Sequence, residues 1–476
     1  MRRGGLALKK PVLPTGVPTM TMPVEIRQRA EALIAAESTR FDELHPRSRQ
    51  MAVEASAHFP GGVPLHWMLD WETPFPIFVR EAKGSTVTDV DGHAYSDFCL
   101  GDTGAMFGHS PAPVAKAISE QAARGLTAML PSNLTAQVGA LLAARFGLPF
   151  WQVTATASDA NRAVVRWARA LTNRPKVLVF DGCYHGQVED AFVKLDGGGT
   201  IMKPSLLGQV TDISATSIAA PFNDLEAVEK ILAAGDVALI LTEPALTNTA
   251  MVLPEPGFVE GLVASARRHG TLLCLDETHT ISAGPGGFTR EHDLSPDFFV
   301  LGKPIAGGLP AAVFGFTHKV ENDMRRVLGT KTPGYSGIGT TLSGNMLALA
   351  AMRACLEEVM TPKNYGHMTA LASRLADGMR AAVTRHNLPW TVTQLGARAE
   401  LVFSERPLRN GAEAAAAIDH AVERAIHLFL LNRNLLVTPF HNMTLVAPTT
   451  TEADVESLVI RFDEALSALS GEGEFE

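Results

Sequence analysis

The sequence predicts an α/β fold with a mainly parallel central sheet and a smaller α+β domain, and three observations carry that prediction. From about residue 133 to 320 the chain repeats strand, loop and helix. The short apolar runs Lys176–Phe180, Val237–Thr242, Thr271–Asp276 and Phe298–Gly302 alternate with helix-like segments such as Asp159–Leu171, Leu225–Ala234 and Gly257–His269. Strands connected through helices pair in parallel and are covered on both faces. At 476 residues, the chain also exceeds the length at which one core stops growing, so two or more domains are expected.

The elements follow in order. Residues 1–22 read as a flexible tail, with Met20 and Met22 open as later starts. Helical spacing in Ile26, Ala30, Leu33 and Ile34 predicts an N-terminal arm over residues 23–58, ended by Pro60-Gly61-Gly62. Alternation over residues 78–98 around Asp89-Val-Asp-Gly-His predicts a small antiparallel meander. Arm and meander, residues 23–110, are assigned to the small domain, residues 111–345 to a large cofactor-binding domain, and residues 346–476 to the C-terminal part of the small domain. A long helix is expected from Ser343-Gly-Asn through Leu356.

Composition narrows the function. Hydrophobic residues at 46% and charged residues at 19% describe an ordinary globular protein. A net charge of −9 without an internal basic cluster argues against nucleic acid, and no apolar stretch reaches the roughly 18 residues that cross a bilayer. The four scattered cysteines show no metal-ligand spacing, so a reduced cytoplasm is expected and no metal.

The chemistry is carried by Lys303, which follows Asp276 by 27 residues, each at the end of an apolar run. Open α/β sheets place ligand crevices at such strand ends. A lysine amine that forms a Schiff base with an aldehyde cofactor, and a buried carboxylate that keeps a pyridine nitrogen protonated, are what pyridoxal phosphate chemistry requires. Taken singly, Asp276 reads as a helix cap and Lys303 as a solvated charge. Two further segments change that reading. Thr154-Ala-Thr-Ala-Ser-Asp-Ala-Asn, between a strand and a helix, offers N–H groups and hydroxyls to a phosphate, or merely makes a tight turn. Tyr184, in Asp181-Gly-Cys-Tyr-His-Gly at the same sheet edge, can stack on a flat ring, or be half-buried packing.

The ensemble resembles the class III, subgroup II, pyridoxal phosphate aminotransferases, in the branch of glutamate-1-semialdehyde aminomutase and β-phenylalanine aminotransferase. The resemblance runs from about residue 55 to 465 and rests on Asp89-Val-Asp-Gly, Gly108-His109, Gly182-Cys-Tyr-His-Gly, Glu243-Pro244, Asp276-Glu277, Gly302-Lys303 and Thr341-Leu-Ser-Gly-Asn345 in that order. It implies the aspartate aminotransferase type of fold, fold type I, with pyridoxal 5′-phosphate as cofactor. Lys303 is then the Schiff-base lysine, Asp276 the pyridine partner and Tyr184 the stacking residue. Thr156, Ala157 and Ser158 match the phosphate loop, and Glu243 and Thr278 the cofactor's surroundings. Thr341 matches a threonine that reaches the phosphate of a neighbouring subunit, which implies a homodimer with shared sites.

Departures from the family pattern bear on substrate. Ala157 stands in place of a glycine and would be strained at positive φ. Thr278 replaces a branched apolar residue; its hydroxyl either bonds the cofactor's phenolic oxygen or keeps the same shape. The arginine that relatives use for acidic substrates is missing from Val63–Trp71, where Trp67 stands near it, and Phe440 and His441 occupy the place of a second. An indole cannot replace a bidentate carboxylate clamp. Arg398 remains as an anion handle, or as the ion-pair partner of Glu400 two residues along a strand. The expected activity is ping-pong transfer of an amino group from a hydrophobic or aromatic amine or β-amino acid to a keto acid. The alternative is a 2,1-aminomutase, or a racemase, on the same fold.

Overall fold

The structure, a computed structural model, describes residues 22–204, 206–332 and 337–472. The predicted tail lies outside these residues except for Met22, which is buried in the core rather than flexible.

Seven strands form the central sheet: β1 Phe150–Thr154, β2 Lys176–Phe180, β3 Ser217–Ala220, β4 Val237–Thr242, β5 Leu272–Asp276, β6 Phe298–Leu301 and β7 Ala312–Phe316. Their order is β1-β7-β6-β5-β4-β2-β3, and β7 alone runs antiparallel to its neighbours. Adjacent side chains along β6 serve opposite cores. Phe299 and Leu301 join one hydrophobic cluster and Phe298 and Val300 the other. This two-sided burial is why the strands read as unbroken apolar runs.

Sequence and structure differ where local chemistry interrupts the periodicity. The N-terminal arm is two helices, Val24–Leu44 and Pro46–Ala55, because Pro46 cannot continue the first helix and occupies the opening of the second. The predicted meander is present as Val79–Lys83, Thr86–Asp89 and Ala94–Asp97. Its turn closes on Asp89 Oδ1, which accepts hydrogen bonds from the amides of Gly92 (2.7 Å) and His93 (2.8 Å). A fourth strand, Leu435–Leu436, pairs in parallel with Ala94–Asp97, so segments from the two ends of the chain share one sheet. The helix after Asn345 is α-helical only over Met346–Ala354, then continues as a π turn over Cys355–Val359.

Candidate active site

A cavity of about 300 Å³ opens at the carboxyl ends of the parallel strands. Asp276 ends β5, Glu243 follows β4, Tyr184 and His185 follow β2, Lys303 follows β6, and Thr156 to Ser158 follow β1; all line this one cavity.

Asp276 is 3% exposed, and both of its oxygens are engaged. Oδ2 accepts from Asn161 Nδ2 (2.8 Å) and His185 Nδ1 (2.9 Å), and Oδ1 accepts from the Thr278 hydroxyl (2.7 Å) and amide (3.2 Å). Burial would raise the carboxyl, but His185 outweighs it and holds Asp276 below the ordinary carboxylate range. For His185 itself burial opposes the charged ring, yet the Cys183 sulfur and Asp276 bring it up to about 10. A fixed negative charge therefore faces the cavity.

The Thr278 hydroxyl resolves neither alternative as posed. It donates to Asp276 Oδ1 and accepts from the Gly302 amide (3.3 Å), which ties the β5 and β6 exits together. Glu243 is buried, its Oε1 accepting from the Tyr184 amide (3.2 Å), and burial pushes its carboxyl up. It orients the Tyr184 loop.

The phosphate-loop candidate begins a helix. Thr156 caps Ala157–Thr172 through its hydroxyl, which accepts from the Asp159 amide (3.2 Å). Ala157 keeps negative φ as the first helical residue, so replacement of glycine carries no strain. Gly186, at φ 75°, lies so close that a Cβ there would stand 2.2 Å from Ser158 Oγ. Only glycine lets the Tyr184 loop close on this helix N-terminus.

Lys303 has φ 44°, a left-handed conformation rare for a side-chain-bearing residue. Its Nζ lies 2.6 Å from Asp102 Oδ2 and 2.7 Å from His279 Nε2. Neither partner was singled out from the sequence. Asp102 sits in the glycine-rich run after residue 100, and His279 follows Asp276-Glu277-Thr278 directly; these neighbourhoods were the available signals.

The substrate-side candidates are placed elsewhere. Trp67, in the short turn His66–Leu69, is 43% exposed, and Phe440 is 42% exposed; among the described residues neither lines the cavity. Trp71 packs edge-on against His427. His441 Nδ1 donates to Glu400 Oε2 (3.0 Å). Arg398 is wholly buried, 3.4 Å from Glu400 Oε1, with Thr103 and His279 as its closer partners. Thr341 is exposed and outside the cavity lining.

Residues 68–466 match the family model described as Aminotransferase class-III. A glutamate-1-semialdehyde 2,1-aminomutase from Roseiflexus castenholzii is 33% identical over 400 residues, 83% of this chain and 90% of the relative. The crystal structure of a glutamate-1-semialdehyde aminomutase from Pseudomonas aeruginosa PAO1 superposes with a TM-score of 0.91 at 49% identity, covering 93% of this chain and 99% of the other. A β-phenylalanine aminotransferase from Variovorax paradoxus shares the fold, with a TM-score of 0.80 at 24% identity over 91% of this chain and 97% of its own. The chain thus belongs to the class-III aminotransferases, a family of pyridoxal phosphate enzymes of fold type I.

The residues fit that cofactor. An amine and a buried carboxylate held below its ordinary range face one cavity of ligand size, beside a capped helix N-terminus and an aromatic ring. No helix among the described residues is long and apolar enough to cross a membrane.

Proposed function

We propose that this protein moves an amino group within one small substrate, as a pyridoxal phosphate-dependent aminomutase of the 2,1 type, in the cytoplasm. The similarity to the Pseudomonas aeruginosa aminomutase, 49% identical over 93% of the chain, carries this reading above intermolecular transfer. A lysine-to-alanine variant of that protein has been solved in complex with PMP.

When bound, pyridoxal phosphate supplies an electron sink that stabilises negative charge at the substrate carbon. Lys303 Nζ is the group that holds the cofactor covalently and, once freed, carries the proton between carbons. Asp276 would hold the proton on the ring nitrogen, a task for an ionised carboxylate, and its hydrogen bonds from Asn161, His185 and Thr278 favour that state. Thr156, Ala157 and Ser158 bind the phosphate, and Tyr184 covers the ring. Thr341 serves the neighbouring site of a homodimer; sedimentation tests this, and a fully active monomer overturns it.

A second reading, transfer from a hydrophobic amine to a keto acid, is favoured by the absence of arginine from Val63–Trp71. The test supplies glutamate-1-semialdehyde alone to the loaded enzyme. Formation of the isomer with its amino group moved from carbon 2 to carbon 1, without keto acid, supports the first reading. Turnover only with an arylalkyl amine or aromatic β-amino acid plus a keto acid supports the second.

A further inference from the structure

Where the N-terminal arm meets the meander, His45, Asp89 and His93 come together, with one nitrogen or oxygen of each within 4.8 Å of the others. None of the three lines the cofactor cavity. His45 sits at the joint between the arm helices Val24–Leu44 and Pro46–Ala55, Asp89 ends the strand Thr86–Asp89, and His93 leads into the strand Ala94–Asp97. His45 and Asp89 are buried, and a quarter of the His93 side chain reaches solvent.

The hydrogen bonds leave this group one positive charge short. His45 Nδ1 lies 2.7 Å from the Phe41 carbonyl oxygen, which only accepts, so Nδ1 carries a proton and Nε2 of the neutral ring is bare. Asp89 Oδ1 is taken up by the amides of Gly92 and His93, which leaves Oδ2 to the cluster. The Tyr95 hydroxyl stands 2.8 Å from His45 Nε2 and 2.9 Å from Asp89 Oδ2, and its single proton serves one of those two lone pairs. His93 Nδ1 donates to the same Oδ2 at 2.9 Å. A second proton on His45 would fill the gap, but burial holds that ring below its usual value.

We propose that His45 Nε2, Asp89 Oδ2 and His93 Nδ1 bind a zinc ion, with Tyr95 Oη at the fourth corner, and so fasten the arm to the meander. Tetrahedral zinc with nitrogen and oxygen ligands at about 2.0–2.1 Å sets its ligand atoms about 3.3 Å apart. Here His45 Nε2 lies 3.5 Å from Asp89 Oδ2, His93 Nδ1 lies 2.9 Å from it, and Tyr95 Oη stands between the first two. Small outward shifts of these side chains open the central position. On binding, His93 carries its proton on Nε2 instead of Nδ1. Burial first, and then Asp89, push the Tyr95 phenol up in the free chain; a dication beside it supplies the opposing charge.

The surroundings are those of metal ligands. The Phe41 carbonyl on the far nitrogen of His45, and the turn amides on the far oxygen of Asp89, fix both side chains from behind, as outer partners of ligands do. A buried set of four protein ligands makes a structural site and leaves no open position for catalysis. The nearby Asp91 is not a member, because its oxygens accept from the amides of Arg47 and Ser48 and from the Ser48 hydroxyl. Those bonds already tie the meander turn to the second arm helix, and the zinc adds a tie at the joint. The four cysteines, whose spacing pointed to no metal, take no part.

The test equilibrates the cofactor-loaded, tag-free protein with zinc chloride, desalts it, and measures retained metal by mass spectrometry and its coordination by X-ray absorption. The expected result is one zinc per chain with nitrogen and oxygen ligands at about 2.0–2.1 Å and no sulfur. The melting temperature should rise by about 2–4 °C over protein treated with a chelator. His93→Ala changes the partly exposed ligand and leaves the turn bonds of Asp89 in place, so the variant should fold, bind zinc about 100-fold more weakly and lose the thermal shift. His45→Gln should do the same from the arm side. Zinc held with sulfur ligands, or held equally well by His93→Ala, overturns the proposal. So does a protein that retains no zinc and melts identically with and without it, the behaviour of a cluster that completes itself with a proton on His45. Turnover enters none of these readouts.

Discussion

Asp276 and Lys303 face one cavity from walls that are built differently. The Asp276 wall is regular structure: a strand-end carboxylate fixed by Asn161 on a helix, by His185 just after β2, and by Thr278. The Lys303 wall is assembled from segments far apart in the chain: Asp102 and His279 contact the amine, Thr103 and the strand residue Arg398 stand behind His279, and Asp102, Thr103 and Lys303 itself are in left-handed backbone. The first wall suits a group that must never change charge. The second suits a group whose nitrogen must change partners, because strained loops and switchable hydrogen bonds can supply alternatives that a strand end cannot.

That contrast predicts a hierarchy of effects. Lys303→Ala should retain the fold and still bind cofactor, now non-covalently, yet lose about 10⁴-fold in kcat, since no other lining residue among the described residues offers an amine; stopped turnover with cofactor still bound but released on dialysis, followed by absorbance, checks it. Asp276→Asn should lower kcat and kcat/KM together by about 10²- to 10³-fold, the pattern of an interaction that strengthens toward the transition state. Near-normal turnover there would mean that the fixed-charge wall is structural only.

A third experiment reads the Asp276 wall through stability. His185 has a folded value raised from 6.5 to about 10, so the folded state binds the extra proton between those values and the unfolded state does not. The stabilisation is complete below 6.5 and is lost as pH rises through about 10. The melting temperature of the cofactor-free protein should therefore fall across this window, and His185→Gln should flatten the fall. The smallest effect belongs to Thr278→Val, which keeps the branched shape but removes a donor to Asp276. A cost of about 0.5–1.5 kcal/mol in stability and less than about tenfold in kcat is expected; no change in either would restore the reading in which only shape matters.

The two walls also differ in how far the sequence revealed them. Asp276, Tyr184, Glu243 and Lys303 follow apolar runs whose period and length announce strands, and a sheet of parallel strands brings their ends together whatever the loops do. Asp102, His279 and Arg398 carry no such signal. Their convergence depends on contacts between residues as far apart as Thr103 and Arg398, and loop conformation at positive φ is not encoded in periodicity. β7 was missed for a related reason: the run Ala312–Phe316 is short, contains Gly315 and follows a glycine-rich loop, so its apolar character did not separate strand from buried turn. Arg398 shows the limit most clearly. Its spacing from Glu400 suggested an ion pair, and the pair exists at 3.4 Å, yet the closer contacts are to residues that the sequence places nowhere near it.

The central claim is that Lys303 is the amine that holds the cofactor. Borohydride reduction of the loaded protein, followed by digestion and mass spectrometry, tests it directly. The account predicts a yellow protein that is bleached on reduction, with the cofactor fixed to the peptide containing Lys303. Cofactor fixed to a different lysine, or none fixed in protein that retains bound cofactor, would contradict it.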